Sequence, residues 1–326
     1  MKKINIIESL RAIAAISVCL FHFVCTTIGL FNREELPAIF SYGKYGVHVF
    51  FVISGFIIPY SMYLSKYNIK ALPQFLLKRF IRIEPPYLVS ILLVISLISL
   101  KHFAHIGVDQ YDELSIKRVA LHIGYLINFF SQYHWLNGVY WTLAIEFQYY
   151  IFIALSLFLF VHEKKYYRIV GYLLILLLNF LSSNVEHFPY YSFLFLIGIV
   201  TFSYKTNIIK QLEFWIVFVL SLVFLGIYIN YVYAIVGAAT ALIIIYFTDV
   251  KIYLFDALGK ISYSIYLIHP VIGGAIINVG SRHVSTTYER IALVCFGFII
   301  TLLSSYIMYL LIEKPSKIAS SKINLS

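Results

Sequence analysis

Charge is what this sequence has least of. Only 12% of its residues are Asp, Glu, Lys or Arg, against about 25% in an ordinary soluble domain. With 61% hydrophobic residues and a mean hydropathy of +0.86 it cannot cover a water-soluble surface. Long polar linkers, Pro/Gly-rich stretches and visible tandem or inverted repeats are also missing, so a string of separate modules is not expected. The three cysteines, Cys19, Cys25 and Cys295, fall inside apolar runs without paired metal spacing and read as small apolar fillers. No Gly-rich phosphate loop, nucleophile-elbow serine or cluster of metal ligands is seen. His102 and His105 are three apart but lack supporting ligands, so no bound metal is expected.

What is present is a succession of apolar runs of membrane-crossing length. The 326 residues leave room for roughly ten helices of about 20 residues joined by short loops. The expected fold is all-α: a polytopic membrane protein with about ten transmembrane helices, both termini cytoplasmic, and residues 1–326 forming a single integral domain. The N-terminus has two lysines before an apolar stretch, as a signal peptide does. It also contains Glu8 and Arg11 and lacks a convincing small-residue cleavage site, so an uncleaved anchor is expected. After a polar loop with Arg33, Glu34, Glu35 and Pro37, the spans fall near 45–63, from Pro85 and Pro86 to 100, 138–161, 169–183, 190–204, 214–229, 231–247, 261–279 and 291–312. The stretch 101–137, with Asp109, Asp112 and Glu113, is weakly hydrophobic. Its piece 119–130 is too short and polar for a span and reads as an interfacial or re-entrant helix.

With the N-terminus inside, 18 of the 25 basic residues, beginning with Lys2, Lys3 and Arg11, fall on the cytoplasmic side, the direction that the positive-inside rule demands. The net charge of +10 invites a nucleic-acid partner. The bases lie in short loops beside apolar spans, where topology and anionic lipid explain most of them, and nucleic acid is not expected. Aromatic residues, 18% of the chain, suit anchoring at membrane interfaces.

The first span, residues 6–30, carries Arg11 and His22 inside an otherwise apolar helix. Eleven helical residues turn through about 1100° and rise about 16 Å, so the two share a face about half a bilayer core apart. An arginine so near a membrane surface ordinarily snorkels to lipid phosphate, and a lone intramembrane histidine can simply bond a neighbouring helix. Arg79 and Arg82, three apart, also face one side if their stretch is helical. Glu146 descends about 12 Å from the outer end of its span. A buried carboxylate there needs a partner: a structural bond to another helix, pairing with His22, or the water of a cavity that it lines. His122, His134 and His187 are expected at the interface.

The stretches ESLRAIAAISVCLFHF, GVHVFFVISGFII, LKRFIRIEPPYL, YWTLAIEFQYY, LGKISYSIYLIHPVI and the terminal IEKPS together resemble the integral-membrane acyltransferase-3 family, in family order and over essentially the whole chain. The resemblance implies an O-acyltransferase that moves an acyl group, acetyl in particular, from cytoplasmic acyl-coenzyme A to a hydroxyl of an extracytoplasmic glycan or glycolipid. His22 would be the catalytic histidine with Arg11 its partner. Arg79 and Arg82, with Arg11, would hold the donor phosphates. Trp141 and Glu146 match a motif lining the site, and Tyr266 and His269 match a Tyr-Leu-x-His motif on the substrate side. His48 departs from the family pattern, and core packing is its default role.

Physics allows the same mechanism. Cationic residues can anchor a multiply phosphorylated head, and neutral imidazole, ordinarily near pKa 6.5, can act as general base on a hydroxyl. Glu146 would orient that imidazole or bind the acceptor. An acyl-histidine relay is the variant. The implied partners are membrane lipid, the glycan acceptor and polysaccharide-synthesis proteins, in the cytoplasmic (inner) membrane. The alternatives are a transporter or flippase with Arg11, His22 and Glu146 along its pathway, and a membrane scaffold with a decayed site. The chain stops a dozen or so residues after its last expected helix, so no attached soluble domain is expected to complete the transfer.

Overall fold

The computed structural model describes residues 4–27, 29–31, 35–105 and 114–325. Lys2, Lys3, Arg33, Glu34, Asp109, Asp112 and Glu113 lie outside the described residues. Among the described residues there are helices and no strands. In chain order the helices are α1 (Ile6–Phe21), α2 (Glu35–Phe40), α3 (Gly46–Leu64), α4 (Leu72–Phe103), α5 (Ile116–Ile123), α6 (Trp141–Val161), α7 (Lys165–Leu181) and α8 (Phe188–Lys205). There follow α9 (Gln211–Phe224), α10 (Tyr231–Tyr246), α11 (Tyr253–Lys260), α12 (Ser262–Ile268), α13 (Gly273–Gly280), α14 (Thr287–Met308) and α15 (Lys314–Ser321). Three of them, α1, α9 and α14, run on into single π-helical turns, at His22–Thr26, Leu225–Ile229 and Tyr309–Glu313.

Helix occupies all ten stretches anticipated from the sequence, but fewer have the makings of a crossing. Among the described residues six helical segments are long and apolar enough: Ile6–Thr26, Leu36–Leu64, Ile69–Phe103, Trp141–Val161, Gln211–Ile229 and Thr287–Ser321. A seventh is added if α12 and α13, bent by 41°, count as one span. α8, with 18 residues, is not among them, and its Ser192, Thr201 and Ser203 are buried in protein.

Two boundaries differ from expectation. The third helix does not start at Pro85 and Pro86. α4 starts at Leu72, with Pro73 in its first turn where no N–H is needed, and runs 32 residues through both prolines. Two adjacent prolines remove two helical N–H donors, and the Tyr263 hydroxyl donates to the nearby Ile83 carbonyl at 2.9 Å. Residues 119–130 form no continuous helix: α5 ends at Ile123 and a 3-10 turn covers Ile127–Phe129. Ser115 caps α5 by accepting from the Arg118 N–H at 3.1 Å. His122 is fully buried here. Its Nδ1–H donates to the Arg118 carbonyl (2.9 Å) and its Nε2 accepts from the Leu136 N–H (2.9 Å). Burial, with the nearby Arg118 charge, pushes its pKa down to about 4.

α8 is the hub, packed against α3, α6, α7, α9 and α10, with α3 its most extensive neighbour. The two backbones nearly touch. A Cβ on Gly55 would lie 2.3 Å from the Phe195 carbonyl oxygen, and one on Gly198 would lie 2.2 Å from that of Val52. Beside this crossing Phe51 stacks on Phe195 at 5.0 Å, and Tyr149 stacks on the same ring at 4.2 Å. Close backbone approach through small residues is how helices associate where lipid removes the hydrophobic drive. The result is a firm wall behind α3, whose opposite side faces the site.

Candidate active site

A cavity of about 420 Å³ opens between α1, α3, α4, α6, α12 and the turn joining α14 to α15. Helical periodicity delivers its charged residues. Glu8 and Arg11 lie one turn apart on α1, as do Arg79 and Arg82 on α4, and all four line the cavity with Glu146, Glu313 and Lys317. Arg79 is buried. Its guanidinium lies over the rings of Phe75 (5.2 Å) and Tyr150 (5.5 Å), and its Nε has no hydrogen-bond partner. Among the described residues no carboxylate forms an ion pair with Arg11, Arg79 or Arg82.

The carboxylates on the same wall are engaged elsewhere. Glu146 Oε1 accepts from Ser54 Oγ (2.9 Å) and from the Tyr150 hydroxyl (2.7 Å). It lines the same cavity as the arginines and bonds a hydroxyl on another helix, one of the roles expected for it; among the described residues it makes no hydrogen bond to His22. Glu313 is fully buried. Its Oε2 accepts from the Ser264 N–H (3.1 Å) and Oγ (2.6 Å), and its Oε1 lies 2.6 Å from Lys317 Nζ. The sequence reading gave Glu313 no role, although it sits in the IEKPS stretch that carried part of the resemblance. A lone carboxylate closing the last apolar run was the available signal.

His22 stands where α1 changes from α to π winding, a distortion frequent at functional sites. Its Nδ1 lies 2.8 Å from the Val18 carbonyl oxygen and 3.2 Å from Nε2 of His269. The two imidazoles are 5.0 Å apart between centroids. His269 is wholly buried, and its Nδ1 lies 3.0 Å from the Ile265 carbonyl oxygen. The pair is not on the cavity wall. Phe50 and Tyr266, which do line the cavity, meet edge to face at 5.8 Å, and the Tyr266 ring lies 6.1 Å from that of His269. The Tyr266 hydroxyl donates to the Val139 carbonyl (3.2 Å) and shares a hydrogen bond with Thr142 (2.8 Å).

Of the residues singled out from the sequence, Arg11, Arg79, Arg82, Glu146 and Tyr266 therefore share one cavity, and His22 and His269 form a pair beyond its inner end. Trp141 is absent from the cavity wall and packs on Phe51 (6.5 Å) and Tyr191 (5.8 Å). His269 is fully buried and is also absent from the cavity wall. His48 is buried among Tyr45 (5.5 Å), Tyr191 (5.7 Å) and Tyr233 (3.9 Å), which agrees with its packing role.

Fold and site define a multi-pass helical membrane protein with a cavity that gathers three arginines and a lysine beside three carboxylates. The model of the Acyltransferase domain family, acyltransferase-3, matches residues 4–310, and the chain belongs to that family. Among similar proteins, the "Putative O-acetyltransferase" of Staphylococcus aureus strain COL is 30% identical over 177 residues, which cover 52% of this chain and 27% of that protein. Its counterparts in strains MSSA476 and N315 are 30% identical over 171 residues, covering 50% of this chain and 26% of theirs. The matches thus span about a quarter of the length of these relatives. No solved structure matches the chain.

Proposed function

We propose that the chain is a membrane O-acyltransferase that moves an acyl group, acetyl in particular, from cytoplasmic acyl-coenzyme A to a hydroxyl of an extracytoplasmic glycan or glycolipid. The observation that carries this reading is the set of guanidinium groups of Arg11, Arg79 and Arg82 on one cavity, without ion-pair partners among the described residues. A desolvated charge without a partner is costly. A donor bearing several phosphates relieves all three through charge-assisted, bidentate hydrogen bonds. The family match and the names of the staphylococcal relatives support acyl transfer.

In this reading the donor head sits among the arginines, with Glu146 and Glu313 limiting the positive charge so that the coenzyme can leave again. The thin pantetheine arm points along α1 toward His22, about 16 Å from Arg11 by helical rise. His22, neutral, takes the proton of the acceptor hydroxyl as the oxygen attacks the thioester carbonyl. The accompanying topology is a single domain over residues 1–326 with ten crossings and both termini in the cytoplasm, in the cytoplasmic membrane. The asymmetry of basic residues supports it.

The test is transfer of label from radiolabelled acetyl-coenzyme A to host glycan in membranes carrying either the native chain or His22→Ala at matched expression. Native labelling with a loss of two or more orders of magnitude in the variant, roughly what removing a general base costs, is the expected result. Equal labelling by both removes His22 from the chemistry. No labelling by either turns attention to a transport role.

A further inference from the structure

The geometry points to His269 as the positioning residue of this reaction: it holds His22 in the form protonated at Nδ1, so that Nε2 is the atom that takes the proton of the acceptor hydroxyl. The inference rests on the acyl-transfer reading for its chemistry, but the tautomer follows from three contacts alone. His269 Nδ1 faces the Ile265 carbonyl oxygen at 3.0 Å, and a carbonyl can only accept. That nitrogen therefore carries the proton, and in the neutral ring Nε2 of His269 is a bare acceptor. His22 Nδ1 faces this acceptor at 3.2 Å and a second one, the Val18 carbonyl oxygen, at 2.8 Å. Only a proton on His22 Nδ1, shared between the two, satisfies both contacts. The opposite assignment would set bare nitrogens against carbonyl oxygens at both Val18 and Ile265. Among the described residues nothing hydrogen-bonds His22 Nε2, which is left with a free lone pair.

The arrangement has the logic of a nucleophile–base–orienter triad with a neutral orienter. A carboxylate behind His22 would place a full charge inside a helical bundle with no cation to pair it, a costly choice at that depth. An imidazole whose own N–H is satisfied by its own helix does the orienting at no net charge. When Nε2 takes the proton, the acceptor oxygen forms its bond to the thioester carbon and the carbon–sulfur bond breaks. The proton then passes from Nε2 to the departing thiolate, which regenerates neutral His22 and releases the free thiol of the coenzyme. Throughout, the His22 Nδ1–H stays on its two acceptors, and its bond to His269 strengthens while the ring is positive.

The experiment compares the native full chain with His269→Leu and His269→Gln in lipid bilayers. Turnover with acetyl-coenzyme A and glycan acceptor is measured alongside nitrogen NMR of histidine-labelled protein, with the His22 signals identified by their loss in His22→Ala. Expected for His269→Leu is a fall in kcat of about 10- to 100-fold, the range for losing the bond that orients a functional imidazole, with the donor KM unchanged. The His22 nitrogen spectrum then shifts from one tautomer to a mixture. His269→Gln, whose amide oxygen can accept from Nδ1, restores the single tautomer and most of the rate. A native His22 protonated at Nε2, or a His22 spectrum and kcat unmoved by His269→Leu, overturns the proposal. If native protein transfers no acyl group, the acyl-transfer reading falls while the spectra still decide the tautomer.

Discussion

Replacing Gly198 with alanine should loosen the molecule at its tightest joint. The new Cβ would stand 2.2 Å from the Val52 carbonyl oxygen and 2.6 and 2.7 Å from the carbonyl carbon and Cα of Gly55. These are backbone atoms that cannot rotate aside, and real Cβ contacts essentially never fall below 3.0 Å. α3 and α8 must therefore part by about 1 Å, a gap that forfeits a quarter to a half of the dispersion well for the atoms on either side. With a few tens of contacts of about 0.1–0.2 kcal/mol each along the crossing, the loss is about 1–3 kcal/mol. Lipid cannot restore it, because packing is what holds such helices together. Ser54, beside Gly55, would be drawn from Glu146, now 2.9 Å away. Thermal unfolding in detergent, followed by loss of the monodisperse species on heating, reads the effect. Gly226→Ala is the control, since its nearest neighbour would be the Ala234 side chain at 4.0 Å. Gly55→Ala should match Gly198→Ala, and the double variant should cost less than the sum, because the first substitution already opens the gap. A Gly198→Ala protein as heat-resistant as the control would refute the argument.

Glu313→Leu strands the Ser264 N–H while Lys317, a quarter exposed, keeps the Lys260 carbonyl, and a loss of about 1–3 kcal/mol is expected for the unsatisfied buried donor; Glu313→Gln, which still accepts from Ser264, should lose less, and equal melting of the two variants would count against the assigned contacts. His122 should make stability pH-dependent. The folded ring, held down to about 4 by burial, refuses a proton that the unfolded ring takes up below about 6.5, so its contribution is whole above that value and drains away as pH falls toward 4. The loss is up to about 3 kcal/mol, and His122→Gln should flatten the melting temperature between pH 6.5 and 4.5; identical slopes would remove His122 as the cause. Arg82→Gln should raise the KM for acetyl-coenzyme A by about 10- to 100-fold, the equivalent of one or two charge-assisted bonds, with kcat little changed. An unaltered KM would detach Arg82 from the donor.

The apolar runs were enough to read an all-helical membrane protein, and helical spacing was enough to put Arg79 and Arg82 on one face; that Arg11 would join them followed from the layout of spans and the resemblance, and all three line one cavity. Partnership across the chain was beyond reach. Glu146 bonds Ser54, 92 positions earlier, and His22 meets His269, 247 positions later. Neither distance leaves a periodic trace. A buried carboxylate advertises that it needs a partner without naming it, so the sequence leaves Glu146 open between a bond to another helix, the imidazole and the acceptor, and only the structure names Ser54 and Tyr150. The prolines of α4 misled for a different reason. Local chemistry marks Pro85 and Pro86 as a helix start, but a long helix held by its neighbours carries both, with the Tyr263 hydroxyl at the weakened turn. Trp141 enters the site only through the resemblance; a rotation of about 140° separates it from Glu146, five positions on, and it is absent from this cavity's wall.

The aromatic layer of Phe50 and Tyr266 carries a consequence for the cell that houses this protein. A water-filled chamber fed from one face of a membrane, joined directly to a titratable pair served from the other, would conduct protons down any standing voltage. Phe50 and Tyr266 meet edge to face at 5.8 Å, and in the proposed topology their rings are the barrier between the two. Narrow apolar constrictions of this kind stop ions by shedding water, while a slender uncharged arm loses little in passing between two rings. In the proposed topology the same two side chains, both on the cavity wall, would serve as electrical insulation of the bilayer at this point, and shrinking Phe50 should be felt as leak before it is felt as altered chemistry.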